Sequence, residues 1–119
     1  MPNSRLPHKE PLIFVESLLE QSDTEVTFRS SFPLTPTLAM FCEASAQGTS
    51  YFPLSPHCNI GFVSSFRNVI LEEKANVCNP LITITLLHSF NDSYLFKFRA
   101  FNGLSTFATG EIAMFYMAA

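Results

Sequence analysis

The stretch Thr35–Phe52, TPTLAMFCEASAQGTSYF, decides the fold, because it predicts a helix that the rest of the chain must cover. Pro36 suits the first helical position, where its missing N–H has no intrahelical partner, and Thr35 is the predicted N-cap. Apolar or small residues recur at helical spacing on two neighbouring stripes, which are Leu38, Phe41, Ser45, Gly48 and Phe52, and Met40, Ala44, Gln47 and Tyr51. A helix that is apolar nearly all round is expected to be buried inside its domain.

Glu43 is the single charged residue of this stretch. Burying an ionised carboxylate is costly unless it is paired or hydrogen-bonded, so Glu43 is the leading candidate for a functional residue. Gln47 follows one helical turn later and can hydrogen-bond it, either to orient the carboxylate or simply as part of the helix packing. The stretch is too short and too interrupted to span a bilayer.

Composition limits the classes of protein to consider. The chain has 119 residues, which we interpret as one domain covering residues 1–119. Hydrophobic residues make up 47% and charged residues only 14%, so we expect a partner subunit, most simply a second copy, to cover part of the apolar surface. The net charge of −3 argues against general nucleic-acid binding.

The cysteines and the N-terminus indicate the compartment. Three cysteines without C-x-x-C spacing predict neither a disulfide framework nor a zinc site, and they suggest a reducing compartment. The first residues contain no apolar segment typical of a secretory signal. We therefore expect a cytoplasmic protein with no metal and no cofactor.

Six segments outside the helix have strand character. Two precede the helix and four follow it, with alternating apolar and polar residues or long apolar runs: Leu12–Leu19, Thr24–Ser30, Asn59–Leu71, Leu81–His88, Tyr94–Phe101 and Leu104–Met117. Asn102-Gly103 predicts a two-residue type I′ turn between the last two. The predicted class is α+β, with a curved antiparallel sheet of about six strands wrapped around one long helix.

Several strings resemble the β-hydroxyacyl-acyl-carrier-protein dehydratases, which have the hotdog fold. LPHKEPLIFVE at positions 6–16 is similar to that family's opening, EASAQ at 43–47 to its central helix, and TGEIA at 109–113 to its final strand. The resemblance implies a hotdog homodimer or higher oligomer that binds an acyl thioester, carried on acyl carrier protein or coenzyme A. It also implies that the amide of Leu38 holds the thioester oxygen.

One part of the family pattern is missing. The family has Gly-His-Phe-Pro-Gly before the helix, and its His is the catalytic base. Here the matching string is Ser30-Ser-Phe-Pro-Leu34, so Ser31 stands at the His position, followed by Phe32 and Pro33. A hydroxyl cannot replace an imidazole as a base near neutral pH. The chain is in this respect similar to the dehydratase-like proteins of aryl polyene synthesis, which keep the helix Glu but lose this string.

The remaining candidates follow from these strings. The residues around Ser31, with Leu38, are candidates for substrate binding. His8 and His57 are the candidate replacements for the missing base, and either can come from the partner subunit. Arg67, Lys97 and Arg99 are candidates for contacts with a carrier or with phosphopantetheine, although a solvated strand face is the usual explanation of such residues.

Three functions remain open from the sequence. The first is dehydration of a 3-hydroxyacyl thioester with Glu43 as the acid. The second is thioester hydrolysis in the same fold, with Glu43 activating water. The third is a non-catalytic hotdog subunit that binds acyl chains or pairs with an active paralogue, because the family's catalytic His is replaced.

Overall fold

The computed structural model describes residues 14–52 and 60–117. Over these residues the chain forms six strands, one α-helix and a short 3₁₀ turn, Thr49–Tyr51, that follows the helix. The elements in chain order are β1 (Val15–Gln21), β2 (Glu25–Ser30), α1 (Leu38–Gly48), β3 (Ile60–Leu71), β4 (Leu81–Phe90), β5 (Ser93–Asn102) and β6 (Ser105–Met117).

The strands form one antiparallel sheet in the order β1-β2-β4-β5-β6-β3. Alternation along the strands gives the sheet an inner and an outer face: Phe96 and Phe98 of β5 are buried, whereas Lys97 between them is exposed. Helix α1 packs on the inner face, and its Gly48 lies directly against Phe28 of β2 and Ile84 of β4. The predicted α+β class, with one helix against an antiparallel sheet, is confirmed.

The predicted strands after the helix all form, within a few residues of their expected bounds. The predicted hairpin between β5 and β6 also forms, but the turn type is wrong. Asn102 pairs with Ser105, so the two central residues are Gly103 and Leu104. Gly103 has φ +59° and Asn102 does not have a positive φ, so the first central residue alone takes the left-handed conformation, as in a type II′ turn.

The predicted start of the helix is wrong by two residues. Helix α1 begins at Leu38, and its N-cap is Thr37 rather than Thr35. The hydroxyl of Thr37 accepts a hydrogen bond from the N–H of Met40 at 3.3 Å. Pro36 lies just before the N-cap, where it restricts Thr35 to extended conformations and prevents the helix from starting earlier.

Within residues 14–52 and 60–117, the chain buries only one face of α1. Phe41, Ala44, Ser45 and Gly48 are buried against the sheet, whereas Glu43 on the opposite face is exposed. The prediction of a helix buried on nearly all sides is therefore wrong for the part of the chain that the structure describes. One six-stranded layer has only one inner face, so it covers only the helix stripe that faces it.

Strand β3 lies at an edge of the sheet and is apolar on both faces. Register with β6 places Val63, Phe66 and Leu71 on the inner face, opposite buried residues. Phe62 lies on the outer face, opposite Phe115. The three inner-face side chains, together with Phe62 and Phe115, are exposed in the single chain. A long, exposed, apolar edge strand is a site for pairing with another chain.

The observed N-cap is tested by comparing Thr37→Ala with Thr35→Ala. Loss of the capping hydroxyl at Thr37 should lower the free energy of unfolding by about 1 kcal/mol. Thr35→Ala should change it by less than about 0.5 kcal/mol, because surface substitutions away from caps have small effects. Urea denaturation followed by circular dichroism measures both. A larger loss at Thr35 would restore the N-cap predicted from the sequence.

Candidate active site

Glu43 lies in the second turn of α1 and faces away from the sheet. Its carboxylate is exposed in the single chain. The side-chain NH₂ group of Gln47, one turn later, donates to Oε2 of Glu43 at 3.5 Å. The structure therefore brings together the two helix residues that the sequence singled out.

Gln47 is half-buried and has a second contact. Its Oε1 accepts a hydrogen bond of 2.8 Å from the main-chain N–H of Phe14, at the start of the described chain. Phe14 is buried and precedes β1. Sequence spacing predicts the contact between Gln47 and Glu43, but it gives no signal for the contact with Phe14, which is 33 residues away along the chain.

The N-terminus of α1 is the second element of the site. Leu38 is its first residue and is half-buried. Two hydrogen bonds between Thr37 and Met40 close the N-cap. The hydroxyl of Thr37 accepts from the N–H of Met40, and the N–H of Thr37 donates to the Met40 sulfur at 3.5 Å. No acidic side chain lies in the first turn. The partial positive charge of this helix end is thus not offset by a carboxylate of its own turn.

The loop that resembles the family's His-containing string supports the core. The N–H of Ser31 donates to the carbonyl of Phe14 at 2.8 Å, and the N–H of Phe32 donates to the carbonyl of Cys78 at 2.8 Å. The ring of Phe32 is buried, whereas the side chains of Ser31 and Pro33 are exposed. Phe32 is therefore a core residue, whereas Ser31, Pro33 and Leu34 of this string face solvent.

The candidate bases His8 and His57 lie outside the described residues. Among residues 14–52 and 60–117, His88 is the one histidine, and it is exposed on β4. Its register partner is Leu95, on the outer face of the sheet. Because α1 lies on the inner face, His88 is not placed near Glu43.

The candidate carrier contacts also lie on the outer face. Glu111 of β6 pairs with Arg67 of β3 on one side and with Lys97 of β5 on the other. Arg99 donates through Nε to the hydroxyl of Thr106 at 3.0 Å, and its guanidinium lies 4.3 Å from the ring centre of Phe101. Since α1 and Glu43 are on the inner side, these three cations do not share a site with Glu43.

An apolar strip beside the helix completes the site. Helical spacing places Leu38, Cys42 and Ala46 on the flank of α1 toward β6 and β3, where the hydroxyl of Tyr116 on β6 meets Thr49. We call the inner face of β3 next to this flank the β3 strip; it consists of Val63, Phe66 and Leu71. The strip was missed from the sequence, although the apolar residues on both faces of residues 60–71 were a signal for an edge that needs covering.

Cys42 lies on this flank and is half-buried. Burial raises the pKa of its thiol, because desolvation disfavours the thiolate. A thiol with a raised pKa is protonated at neutral pH and is a poor nucleophile. Its position on the helix flank and its raised pKa both favour a packing role for Cys42.

Over residues 14–52 and 60–117, no group of three or more His, Cys, Asp or Glu side chains is placed to hold a metal ion. Within the same ranges, no helix is both long and apolar enough to cross a lipid bilayer.

The sequence matches no protein-family model and no curated protein. Solved structures do match. The dehydratase heterocomplex ApeI:P from Xenorhabdus doucetiae is similar with a TM-score of 0.72 and 17% identity, over 93% of this chain and 87% of that one. The chain has the hotdog fold.

Two thioesterases share this hotdog fold. A mutant thioesterase from Pseudomonas aeruginosa has a TM-score of 0.66 and 8% identity, covering 86% of this chain and 81% of that one. A mutant thioesterase from Staphylococcus aureus has a TM-score of 0.65 and 11% identity, covering 85% and 92%. Identities this low support the fold alone. The reaction of this hotdog protein must therefore be argued from its own residues.

Ser45 provides a test of the buried face of α1. Its hydroxyl is buried and has no hydrogen-bond partner among the described residues. Ser45→Ala should raise the free energy of unfolding by about 1 kcal/mol, because it removes an unsatisfied polar atom and introduces a better helix former. Ser30→Ala is the matched control and should lower it by about 0.5–1.5 kcal/mol, since the buried Ser30 hydroxyl donates to the carbonyl of Pro80 at 2.6 Å and that carbonyl also accepts from the N–H of Ser30. Denaturant unfolding of both variants measures this contrast; a loss of stability in Ser45→Ala would mean that its hydroxyl has a partner.

Proposed function

We propose that the protein is a hotdog subunit that binds an acyl thioester and uses Glu43 as its acid or base. One observation carries the proposal: the Glu43 carboxylate accepts a hydrogen bond of 3.5 Å from Gln47, on a helix face that the described residues of its own chain leave open. The small residues Cys42 and Ala46 lie on the flank of α1 beside Glu43, next to the β3 strip. Together they supply an apolar wall. An acyl chain needs such a wall, and its thioester needs a polar group beside it.

The favoured reaction is dehydration of a 3-hydroxyacyl thioester. A base removes a proton from C2, and the electron pair forms the C2–C3 double bond as the C3–O bond breaks. Glu43 gives its proton to the departing hydroxyl, which leaves as water. Negative charge that develops on the thioester oxygen is stabilised by the N-terminus of α1, with the amide of Leu38 as the proposed donor.

The base of this reaction has two proposed sources. The described chain starts at Phe14, whose main-chain N–H donates a hydrogen bond to Gln47. His8 precedes Phe14 by six residues in the sequence. Six extended residues span at most about 20 Å, so the distance allows His8 to reach Glu43 from the same chain. The second source is a partner subunit, which can supply its own imidazole or the His57 of a second copy.

A partner subunit is part of the proposal. Strand β3 exposes apolar side chains on both faces along an unpaired edge, and pairing with a second hotdog sheet covers them. We propose a homodimer. A hotdog paralogue is the alternative partner, and it is supported by the similarity to a dehydratase that is a heterocomplex.

Thioester hydrolysis is the second candidate function, and the similarity to two thioesterases favours it. Here Glu43 takes a proton from water, the oxygen of that water attacks the thioester carbonyl, and the thiol leaves with a proton. This route needs no base that removes a carbon-bound proton, so it is compatible with Ser31 at the family's His position. A non-catalytic acyl-binding subunit is the third candidate.

The carrier and the compartment stay predictions. Acyl carrier protein and coenzyme A both present the same phosphopantetheine thioester. Contacts of a carrier with Arg67, Lys97 or Arg99 would take place on the outer face of the sheet, away from Glu43. We also propose a cytoplasmic location, from the cysteine pattern of the sequence.

Glu43→Gln tests the function. An amide cannot transfer the proton, so activity should fall by about 10²–10⁴-fold while acyl-thioester binding is retained. Reversible hydration of an enoyl thioester measures dehydratase activity, and release of free thiol measures hydrolysis. Glu73→Gln, at an exposed carboxylate outside the site, is the control and should leave both rates unchanged. Full activity of Glu43→Gln would contradict the assignment.

The proposed dimer edge is tested with Phe66→Lys. A lysine in the β3 strip would place a charge in the interface, so sedimentation should show a monomer where the wild type is a dimer. Leu104→Lys, at the exposed tip of the β5–β6 hairpin, is the control and should stay dimeric. A monomeric wild type, or a dimeric Phe66→Lys variant, would refute self-association through β3.

A further inference from the structure

The orientation of the Gln47 side chain is decided by a main-chain group. A main-chain N–H can only donate, so the carboxamide must present its oxygen to Phe14. Its NH₂ group must then point elsewhere, and it lies toward Glu43, where it donates to Oε2. The first hydrogen bond therefore gives the carboxamide the orientation that the second one needs.

Phe14 is itself held in place from two sides. Its carbonyl accepts a 2.8 Å hydrogen bond from the N–H of Ser31. Its buried ring lies 4.8 Å from the ring of Phe32, which meets Phe41 of α1 edge-on at 5.6 Å. The donor to Gln47 is thus fixed to the loop before α1 and, through the rings, to α1 itself.

Strand β1 is attached to the helical segment near both of its ends. Phe14 precedes β1 and bonds to Gln47, while Gln21 at its end donates through Nε2 to the carbonyl of Tyr51. Between them β1 is mostly exposed, and its pairing with β2 has two register irregularities. Two glutamines, one on each element, therefore restrain an edge strand whose ladder is irregular.

Building on the proposed function of Glu43, we infer that Phe14 and Gln47 form a relay that positions its carboxylate. The main chain before β1 sets the Gln47 amide, and the Gln47 amide sets Glu43. An exposed glutamate has many rotamers available, and a catalytic group needs a neighbour that restricts them. Gln47 is a positioning residue in this relay and does not have to touch the substrate.

Two substitutions separate the two bonds of the relay. Gln47→Glu keeps an acceptor for the N–H of Phe14 but has no NH₂ group for Glu43, whereas Gln47→Met loses both. Leu104→Gln, at the exposed tip of the β5–β6 hairpin and away from α1, is the control. Hydrogen exchange of the Phe14 amide reads the first bond, and the side-chain carboxyl signal of Glu43 in NMR spectra reads the second.

We expect Gln47→Met to lose protection of the Phe14 amide and to shift the Glu43 signal. Gln47→Glu should shift the Glu43 signal and keep the Phe14 amide protected. Both variants should lower kcat by about 10²-fold with KM nearly unchanged, because misplacement of a reacting group acts on the chemical step. Leu104→Gln should behave as the wild type in all readouts.

Unchanged Phe14 exchange in Gln47→Met, or an unchanged Glu43 signal in both variants, would overturn the relay. Normal kcat in variants that lose these bonds would overturn its positioning role. Failure of the proposed function looks different: the wild type itself shows no activity toward acyl thioesters, while the exchange and NMR readouts still decide whether the relay exists.

Discussion

The structure depends on how one sheet covers one helix. Helix α1 carries a single charge, Glu43. Its sheet-facing stripe is buried, and there Phe41 of the helix and Phe28 of β2 are both part of the core. A single layer cannot cover the opposite stripe. The open stripe of α1 and the uncovered edge of β3 therefore have the same cause, since a single sheet is too small to cover both. The dimer proposed above would cover the edge of β3 and would bring another surface next to Glu43.

Much of the fold was predictable because each element carries a local signal. Alternation in residues 81–88 and 94–101 fixes which side chains face the helix, and the structure buries Ile82, Ile84, Phe96 and Phe98 accordingly. The errors fall where local signals compete. Two threonines flank Pro36, and only the hydroxyl that reaches Met40 makes the cap. Asn102 and Gly103 both suit the centre of a hairpin turn, but the strand register pairs Asn102 with Ser105 and so makes Gly103 the first central residue.

The candidate site was predictable in part. Glu43 and Gln47 are four residues apart in a helix, so their contact follows from helical geometry. The anchoring of Gln47 by Phe14 depends on how β1 and α1 meet in three dimensions, which no local pattern encodes. The outer-face position of Lys97 and Arg99 follows from strand alternation, but their separation from Glu43 follows only from the side on which α1 packs.

The central claim is that the open face of α1 is covered when the protein assembles. The rate at which a maleimide labels Ala39→Cys, in a chain with its native cysteines replaced by serine, tests this most directly, because Ala39 is exposed in the single chain on the same face as Glu43. The account predicts slow labelling at concentrations where the protein is assembled and fast labelling on dilution. Equally fast labelling in both conditions would show that this face stays open to solvent and would contradict the account.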